Sequence, residues 1–187
     1  MEKIGIIPVS GKPITCGHFH LINLASDETN TVYLFISLLN RIRKNEFPIY
    51  GNSMKIIWEK YLLKILPSNV NVIFCDIFSP IKKIYEILGD VDKSLNKNNF
   101  FVIYGNVIDL EKSFSTKSIN KYLTNLYKNN LLVRRPVIRI NDISGTIMRK
   151  FLFENEKQKF INNLPYELEF SEKIDIWNIL KNGLNYG

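Results

Sequence analysis

The chain has 187 residues, of which 45% are hydrophobic and 23% are charged. This length and composition suit one folded domain, exclude a disordered or collagen-like chain, and leave no apolar stretch long enough to span a membrane. The formal net charge of +7 favours an anionic partner, but it does not single out nucleic acid.

The first half of the chain predicts strands and helices in alternation. From the N-terminus, the predicted elements are a strand at 3–9, a helix from Gly17 or His18, a strand at 31–37, a helix at 52–66 and a strand at 70–75. The strands are apolar and rich in β-branched residues, as buried parallel strands are. In the first helix, Phe19, Ile22 and Ala25 recur at helical spacing and predict one buried face.

The second half continues the alternation. Its predicted elements are a helix from Pro80 to Leu88 closed by Gly89, a strand at 100–104, a helix at 118–127, a strand within 131–140 that Pro136 interrupts, and helical segments from Gly145 with a break near Pro165 and a last helix at 174–180. This pattern predicts an α/β fold, a doubly wound, Rossmann-like sheet of five parallel strands with C-terminal helices. We expect one domain at 1–187, with a core at 3–153 and a helical extension at 154–187.

The segment after the first predicted strand has the residue types of a phosphate site. Gly17 precedes His18 at the expected start of a helix, where unpaired N–H groups and the helix dipole favour anions. Lys12 adds a positive charge, and Thr15 adds a hydroxyl donor. The alternative is a polar loop with a helix-terminal histidine. His20 is favoured as a surface or packing residue, because two residues further along a helix it points elsewhere.

A second donor cluster follows the last predicted strand. Ser144 and Thr146 lie at the expected start of a helix, and Arg149 is placed to reach back over it. The alternative here is an ordinary hydroxyl cap with an exposed arginine.

Together, the two segments resemble a known family. Segment 13–18, Pro-Ile-Thr-Cys-Gly-His, resembles the T/HxGH motif of the cytidylyltransferase-like nucleotidyltransferase superfamily, and segment 143–149, Ile-Ser-Gly-Thr-Ile-Met-Arg, resembles its ISxTxxR motif. Phe-Ile-Ser at 35–37, followed by Arg41 and Arg43, is similar to divergent members from bacteriophages and other viruses. The nearest analogies are the phosphopantetheine and nicotinamide-mononucleotide adenylyltransferases.

The resemblance implies that a nucleoside monophosphate moves from ATP, or less favourably CTP, to a phosphorylated small-molecule acceptor, with release of pyrophosphate and help from Mg²⁺. The implied catalytic residues are His18, Lys12 and Arg149, and the implied nucleotide-binding residues are Ser10, Thr15, Gly17, Gly105, Ser144 and Thr146, with Asp109 as a further candidate. No protein metal ligand is predicted. Arg41 and Arg43 are expected to bind the acceptor, from their position after the second strand alone.

Some positions depart from the family's pattern. Gly11 and Lys12 stand where the family has an aromatic and an acidic residue, and Asn106 replaces an acidic residue expected after Gly105. These departures bear on substrate choice and leave open a catalytically silent nucleotide- or RNA-binding module of the same fold. Nucleic acid is not the favoured partner, since aromatic residues such as Phe101 and Tyr104 suit core packing rather than base stacking.

Cysteine usage bears on the compartment. Cys16 and Cys75 are the only cysteines, which predicts neither a disulfide framework nor a zinc site and favours a reducing compartment, the cytoplasm. No membrane association is expected, and a homo-oligomer is left open.

Overall fold

The computed structural model describes residues 1–94, 97–138 and 143–183. Within them, the strands are β1 (Glu2–Val9), β2 (Thr31–Ser37), β3 (Val70–Cys75), β4 (Asn99–Gly105) and β5 (Leu132–Pro136). They form one sheet in the order β3-β2-β1-β4-β5, and every neighbouring pair is parallel. The chain order reverses between β1 and β4, which is where such a sheet opens a crevice at the carboxyl ends of its strands. The predicted α/β class and five-stranded parallel sheet are confirmed.

Helices cover both faces of this sheet. They are α1 (Cys16–Glu28), α2 (Gly51–Ile57), α3 (Pro80–Ser94), α4 (Val107–Ser113), α5 (Thr116–Tyr122), α6 (Thr124–Lys128), α7 (Gly145–Phe153), α8 (Lys157–Asn162) and α9 (Phe170–Lys181). Alternate residues of a strand point to opposite faces. Thus Ile7 and Val9 pack with α1, α2 and α7 to α9, whereas Ile4 and Ile6 pack with α3 to α6. This arrangement is the predicted doubly wound fold.

The C-terminal helices belong to the same hydrophobic core as the first strand. Phe160 of α8 and Ile176 of α9 lie in one buried cluster with Ile7. The backbone N–H of Cys16 donates to the carbonyl of Asn163 at 2.9 Å, so the start of α1 is tied to the end of α8. The boundary predicted at 153/154 stays a prediction.

Several predicted boundaries differ from the structure. The predicted end of the third helix at Leu88 is wrong, since α3 continues to Ser94 and contains Gly89. Its buried face continues through Asp92, whose carboxylate accepts the backbone N–H of Leu126 at 2.7 Å. Because the buried residue in this last part of α3 is the polar Asp92, the apolar periodicity of the sequence ends before the helix does.

Other helices differ in type or number. The helix predicted at 52–66 is α2, which continues as a π-helical segment, Trp58–Leu62, and a 3₁₀ segment, Leu63–Ile65. The helix predicted at 118–127 is divided into α5 and α6 at Leu123. The sequence pattern did not predict α4, a seven-residue helix in which only Leu110 is buried. Positions 139 and 140, at the end of the predicted fifth-strand region, lie outside the described residues.

Across the described ranges, no helix combines the length and apolar character that crossing a membrane requires. Cys16 and Cys75 are both buried and carry free thiols.

Candidate active site

The start of α1 fixes the imidazole of His18. Thr15 is the N-cap residue and is almost fully buried. Its backbone N–H donates to Nδ1 of His18 at 3.1 Å, and its Oγ1 lies 2.8 Å from the same nitrogen. Because Nδ1 accepts a backbone N–H, the neutral ring carries its proton on Nε2. Thr15 therefore sets both the tautomer and the orientation of His18.

The start of α7 is built in a similar way. Ser144 is its N-cap residue, and its Oγ accepts the backbone N–H of Ile147 at 3.3 Å. Arg149 follows on the next turn, and its side chain is only 5% exposed. Its Nη2 donates to Oγ1 of Thr146 at 2.9 Å, and its Nη1 donates to the carbonyl of Lys12 at 2.7 Å. The second contact joins α7 directly to the segment between β1 and α1.

A cleft of about 490 Å³ joins these two segments at the carboxyl ends of the strands. The predicted site residues that line it are Ser10, Thr15, Gly17, His18, Arg41, Gly105, Ser144, Thr146 and Arg149. Asp109 lines it as well. His18 and Arg149, from opposite ends of the described chain, thus lie on one cavity at the point where the strand order reverses.

Lys12 is placed differently from the other predicted catalytic residues. It is not among the residues that line the cleft, and its Nζ donates to Oγ of Ser37 at 2.9 Å and to the carbonyl of Leu39. Burial, with a further contribution from the positive charge of Arg41, lowers the pKa of Lys12 to about 8. Its ammonium therefore binds the chain at the end of β2. The catalytic role of Lys12 stays a prediction.

Of the two predicted acceptor residues, Arg41 lines the cleft and Arg43 does not. Arg43 is exposed, as is His20 on α1, which also lies outside the cleft lining. Residues 41 and 49 close their loop with two backbone hydrogen bonds, Arg41 N–H to the carbonyl of Ile49 at 2.8 Å and the reverse at 3.0 Å.

Glu46, which lies in this loop, is a site residue that the sequence pattern did not predict. Its carboxylate accepts hydrogen bonds from both Arg41 and Arg149. The hydrogen bond from Arg41 is the main cause that lowers the pKa of Glu46, so the carboxylate stays charged. Burial and the nearby charge of Arg41 lower the pKa of Arg149, an effect that Glu46 opposes. No periodicity or motif marks this residue; the only available signal was an acid close to Arg41 in sequence.

The opposite wall follows β4. Gly105 lies against α4, where an added Cβ would be 3.2 Å from the side chain of Leu110. Asn106, which stands where the family has an acid, caps α4 by accepting the backbone N–H of Asp109 at 3.0 Å. Its side-chain amide also donates to the Asp109 carboxylate. Asn106 therefore has a structural role that accounts for an amide at this position.

The described residues fit a metal ion that is held mainly by the phosphate oxygens of a bound substrate, and not by protein side chains. Within these ranges, no group of three or more His, Cys, Asp or Glu side chains is arranged to hold a metal. Asp109 is the one acidic residue in the described lining of the cleft. Mg²⁺ commonly binds through one or two carboxylates, water and substrate phosphates, and does not need a cage made only of protein ligands. The donor set is therefore compatible with Mg²⁺ bound to a polyphosphate.

No protein-family model matches the chain, and no curated protein matches it. Solved structures do match. A bifunctional NMN adenylyltransferase/ADP ribose pyrophosphatase from Francisella tularensis has a TM-score of 0.59 and 16% identity, over 100% of this chain and 54% of that one. A candidate nicotinate-nucleotide adenylyltransferase from Vibrio parahaemolyticus has a TM-score of 0.55 and 13% identity, over 96% and 99%. Thermotoga maritima TmcAL, bound with alpha-thio ATP, has a TM-score of 0.54 and 14% identity, over 100% and 57%.

This chain spans about half the length of the Francisella and Thermotoga proteins. The Francisella protein has also been solved with AMP and a manganese ion, and that structure matches with a TM-score of 0.51 and 17% identity. Matches at these identities establish the fold. The chain has the fold of the NMN and nicotinate-nucleotide adenylyltransferases, as segments 13–18 and 143–149 predicted.

Proposed function

We propose that the protein is a nucleotidyltransferase that moves AMP from ATP to a phosphorylated small-molecule acceptor and releases pyrophosphate. The observation that carries this proposal is the position of His18 and Arg149 on one cleft at the switch point of the sheet. The preference for ATP over CTP is supported by the neighbours, one bound to alpha-thio ATP and one to AMP. The NMN and nicotinate-nucleotide adenylyltransferases among the neighbours favour an acceptor that is itself a nucleotide. We place the reaction in the cytoplasm, as the cysteine usage predicts.

The reaction needs no strong base. An oxygen of the acceptor phosphate forms a bond to the α-phosphorus of ATP, and the bond from that phosphorus to the bridging oxygen of the β-phosphate breaks, with its electron pair leaving on pyrophosphate. The attacking oxygen is already anionic. Catalysis therefore depends on aligning the acceptor phosphate with the α-phosphorus, and on stabilising the negative charge that develops on the leaving pyrophosphate.

The cleft provides donors for that charge. His18 directs an N–H from Nε2, because Thr15 occupies Nδ1. Ser144, Thr146 and the start of α7 supply hydroxyl and backbone donors for the β- and γ-phosphates, and Arg149 supplies a buried positive charge. We assign Ser10, Gly17 and Gly105 to the nucleotide and Arg41 to the acceptor's phosphate.

Mg²⁺, when bound, would offset charge on the triphosphate oxygens. We propose that it would enter with ATP and be held by phosphate oxygens and water, with Asp109 as the one carboxylate available in the described lining. The manganese ion in a neighbour's structure supports a divalent metal, and Mg²⁺ is our choice among them.

The test is a screen of the four nucleoside triphosphates with Mg²⁺, by thermal shift and by pyrophosphate release. Nicotinamide and nicotinate mononucleotides are the first acceptors, followed by other phosphorylated small molecules. We expect ATP to raise the melting temperature and to release pyrophosphate only when an acceptor is present. Binding of triphosphate without release under any acceptor would contradict the proposal. In that case, a steep salt dependence of RNA binding would favour the silent binding module.

A further inference from the structure

Glu46 lies between the two arginines that line the cleft. Its Oε2 accepts a hydrogen bond from Nε of Arg41 and one from Nε of Arg149, each at 2.9 Å. Its Oε1 accepts a further hydrogen bond from Nη2 of Arg41 at 3.1 Å. One carboxylate therefore binds both guanidinium groups along their Nε edges.

The two arginines depend on this carboxylate to different degrees. Arg149 is also held by the carbonyl of Lys12 and by Oγ1 of Thr146, and its side chain is only 5% exposed. The side-chain hydrogen bonds of Arg41 in the described structure both end on Glu46, and Arg41 is 26% exposed. Arg149 is thus fixed by three segments of the chain, whereas the orientation of Arg41 follows from Glu46.

The hydrogen bonds to Glu46 leave donors for an anion. An arginine has N–H groups on Nε, Nη1 and Nη2. Glu46 uses Nε and one side of Nη2 of Arg41, and Nη1 is left for a ligand in the cleft that Arg41 lines. Without the carboxylate, two neighbouring positive charges would also repel each other.

We propose that Glu46 is a positioning residue. Because it binds Arg149, which other contacts also hold in place, Glu46 fixes the orientation of Arg41 and so sets where the acceptor's phosphate meets the triphosphate. This inference rests on the proposed nucleotidyltransferase function. Glu46 does not itself need to contact either substrate. Its effect passes through Arg41, and this separates it from a residue that only stabilises the fold.

The kinetic test compares Glu46→Gln, Arg41→Ala and the double variant with the wild type. We expect Glu46→Gln to raise the acceptor's KM about tenfold, the loss typical of a charge-assisted hydrogen bond, and to change the triphosphate's KM by less than about threefold. Because both changes act through one guanidinium, the double variant should be no worse than Arg41→Ala. Effects that multiply in the double variant would overturn the proposal. A lowered triphosphate KM with an unchanged acceptor KM would overturn it too, because Glu46 would then be a competing anion.

A second measurement does not depend on turnover. Phenylglyoxal modifies accessible arginines, and the rate at each site is followed by mass spectrometry of peptides. We expect Glu46→Gln to speed modification of Arg41 several-fold and to leave Arg149 slow, since its other contacts remain. Glu111→Gln is the matched control, because Glu111 pairs with Arg134 outside the cleft lining. It should speed modification of Arg134 alone.

Unchanged labelling of Arg41, or equally faster labelling of Arg149, would contradict the proposed asymmetry. A wild-type protein that transfers no nucleotide would contradict the proposed function instead, and the labelling result would still decide how Glu46 holds Arg41.

Discussion

Hydrogen-bond partners distinguish two of the predicted catalytic side chains, His18 and Lys12. Thr15 occupies Nδ1 of His18, so the neutral ring carries its proton on Nε2, the atom that we propose donates to phosphate oxygen. Lys12 has a charge that suits the same task, but Ser37 and the carbonyl of Leu39 bind its ammonium. Two residues close in sequence are therefore held by different partners, His18 at Nδ1 by Thr15 and Lys12 at Nζ by Ser37 and Leu39.

Replacement of His18 by alanine tests the role of its Nε2 proton. We expect His18→Ala to lower turnover about 10²- to 10³-fold, as loss of one donor to developing charge typically does. The fold should be preserved, since the ring is only partly buried. Pyrophosphate release and circular dichroism measure the two effects. His20→Ala, at an exposed position on the same helix, is the control and should keep nearly normal turnover. Near-normal release from His18→Ala would contradict the assignment.

Charge reversal separates the two arginines that the sequence assigned to the acceptor. Arg41 lines the cleft and Arg43 does not. We expect Arg41→Glu to raise the KM of the acceptor far more than the KM of the triphosphate, and Arg43→Glu to change both only slightly, because an exposed charge outside the cleft is screened by solvent. Steady-state kinetics with each substrate varied in turn provides the comparison. Equal effects of the two reversals would argue against an acceptor role for Arg41.

At the scale of the elements, the strands were the most predictable part of the chain. β2 and β3 agree with the predicted bounds because both are short runs rich in β-branched and aromatic residues. The first turns of α1 and α7 were predictable from a hydroxyl cap and a short motif. The pairing of Glu46 with Arg149 was not predictable, because it joins a loop to a helix far along the chain. The orientation of Lys12 likewise follows from tertiary contacts and not from local pattern.

The start of α7 leaves little room beside Arg149. A Cβ on Gly145 would lie 3.1 Å from Nη1 of Arg149 and 3.2 Å from the carbonyl of Lys12. We expect Gly145→Ala to displace the guanidinium and weaken ATP binding about tenfold, the order of one charge-assisted hydrogen bond. Isothermal titration with ATP and Mg²⁺ measures the effect.

Gly89→Ala is the matched control for this substitution. Gly89 lies within α3, and an added Cβ would meet open space. We expect this change to leave ATP binding unaltered and to stabilise the fold by about 0.5–1 kcal/mol through helix propensity. Unaltered ATP binding by Gly145→Ala would indicate that Arg149 tolerates displacement.

For the molecule as a whole, burial of Lys12 links stability to pH. Its folded pKa of about 8 lies below the ordinary value of 10.5. Between these values the unfolded chain holds a proton that the folded chain has lost, so raising the pH stabilises the folded state. The penalty of burying the charged ammonium is present below about pH 8 and is relieved as the pH rises toward 10.5.

The comparison with Lys12→Met isolates this effect from the other lysines and tyrosines. We expect the free energy of unfolding of the wild type to rise relative to Lys12→Met as the pH increases from 8 to 10.5. Urea denaturation across this range provides the measurement. A constant difference between the two proteins would mean that Lys12 titrates alike in both states.

The contact of Arg149 with the carbonyl of Lys12, and that of Cys16 with Asn163, also have a consequence for biosynthesis. A nascent chain that has left the ribosome only as far as β5 already contains His18 but lacks both of these partners. Under the proposed function, the complete cleft therefore forms only after α7 and α8 have emerged, and a prematurely terminated translation product would lack the side of the site that Arg149 provides.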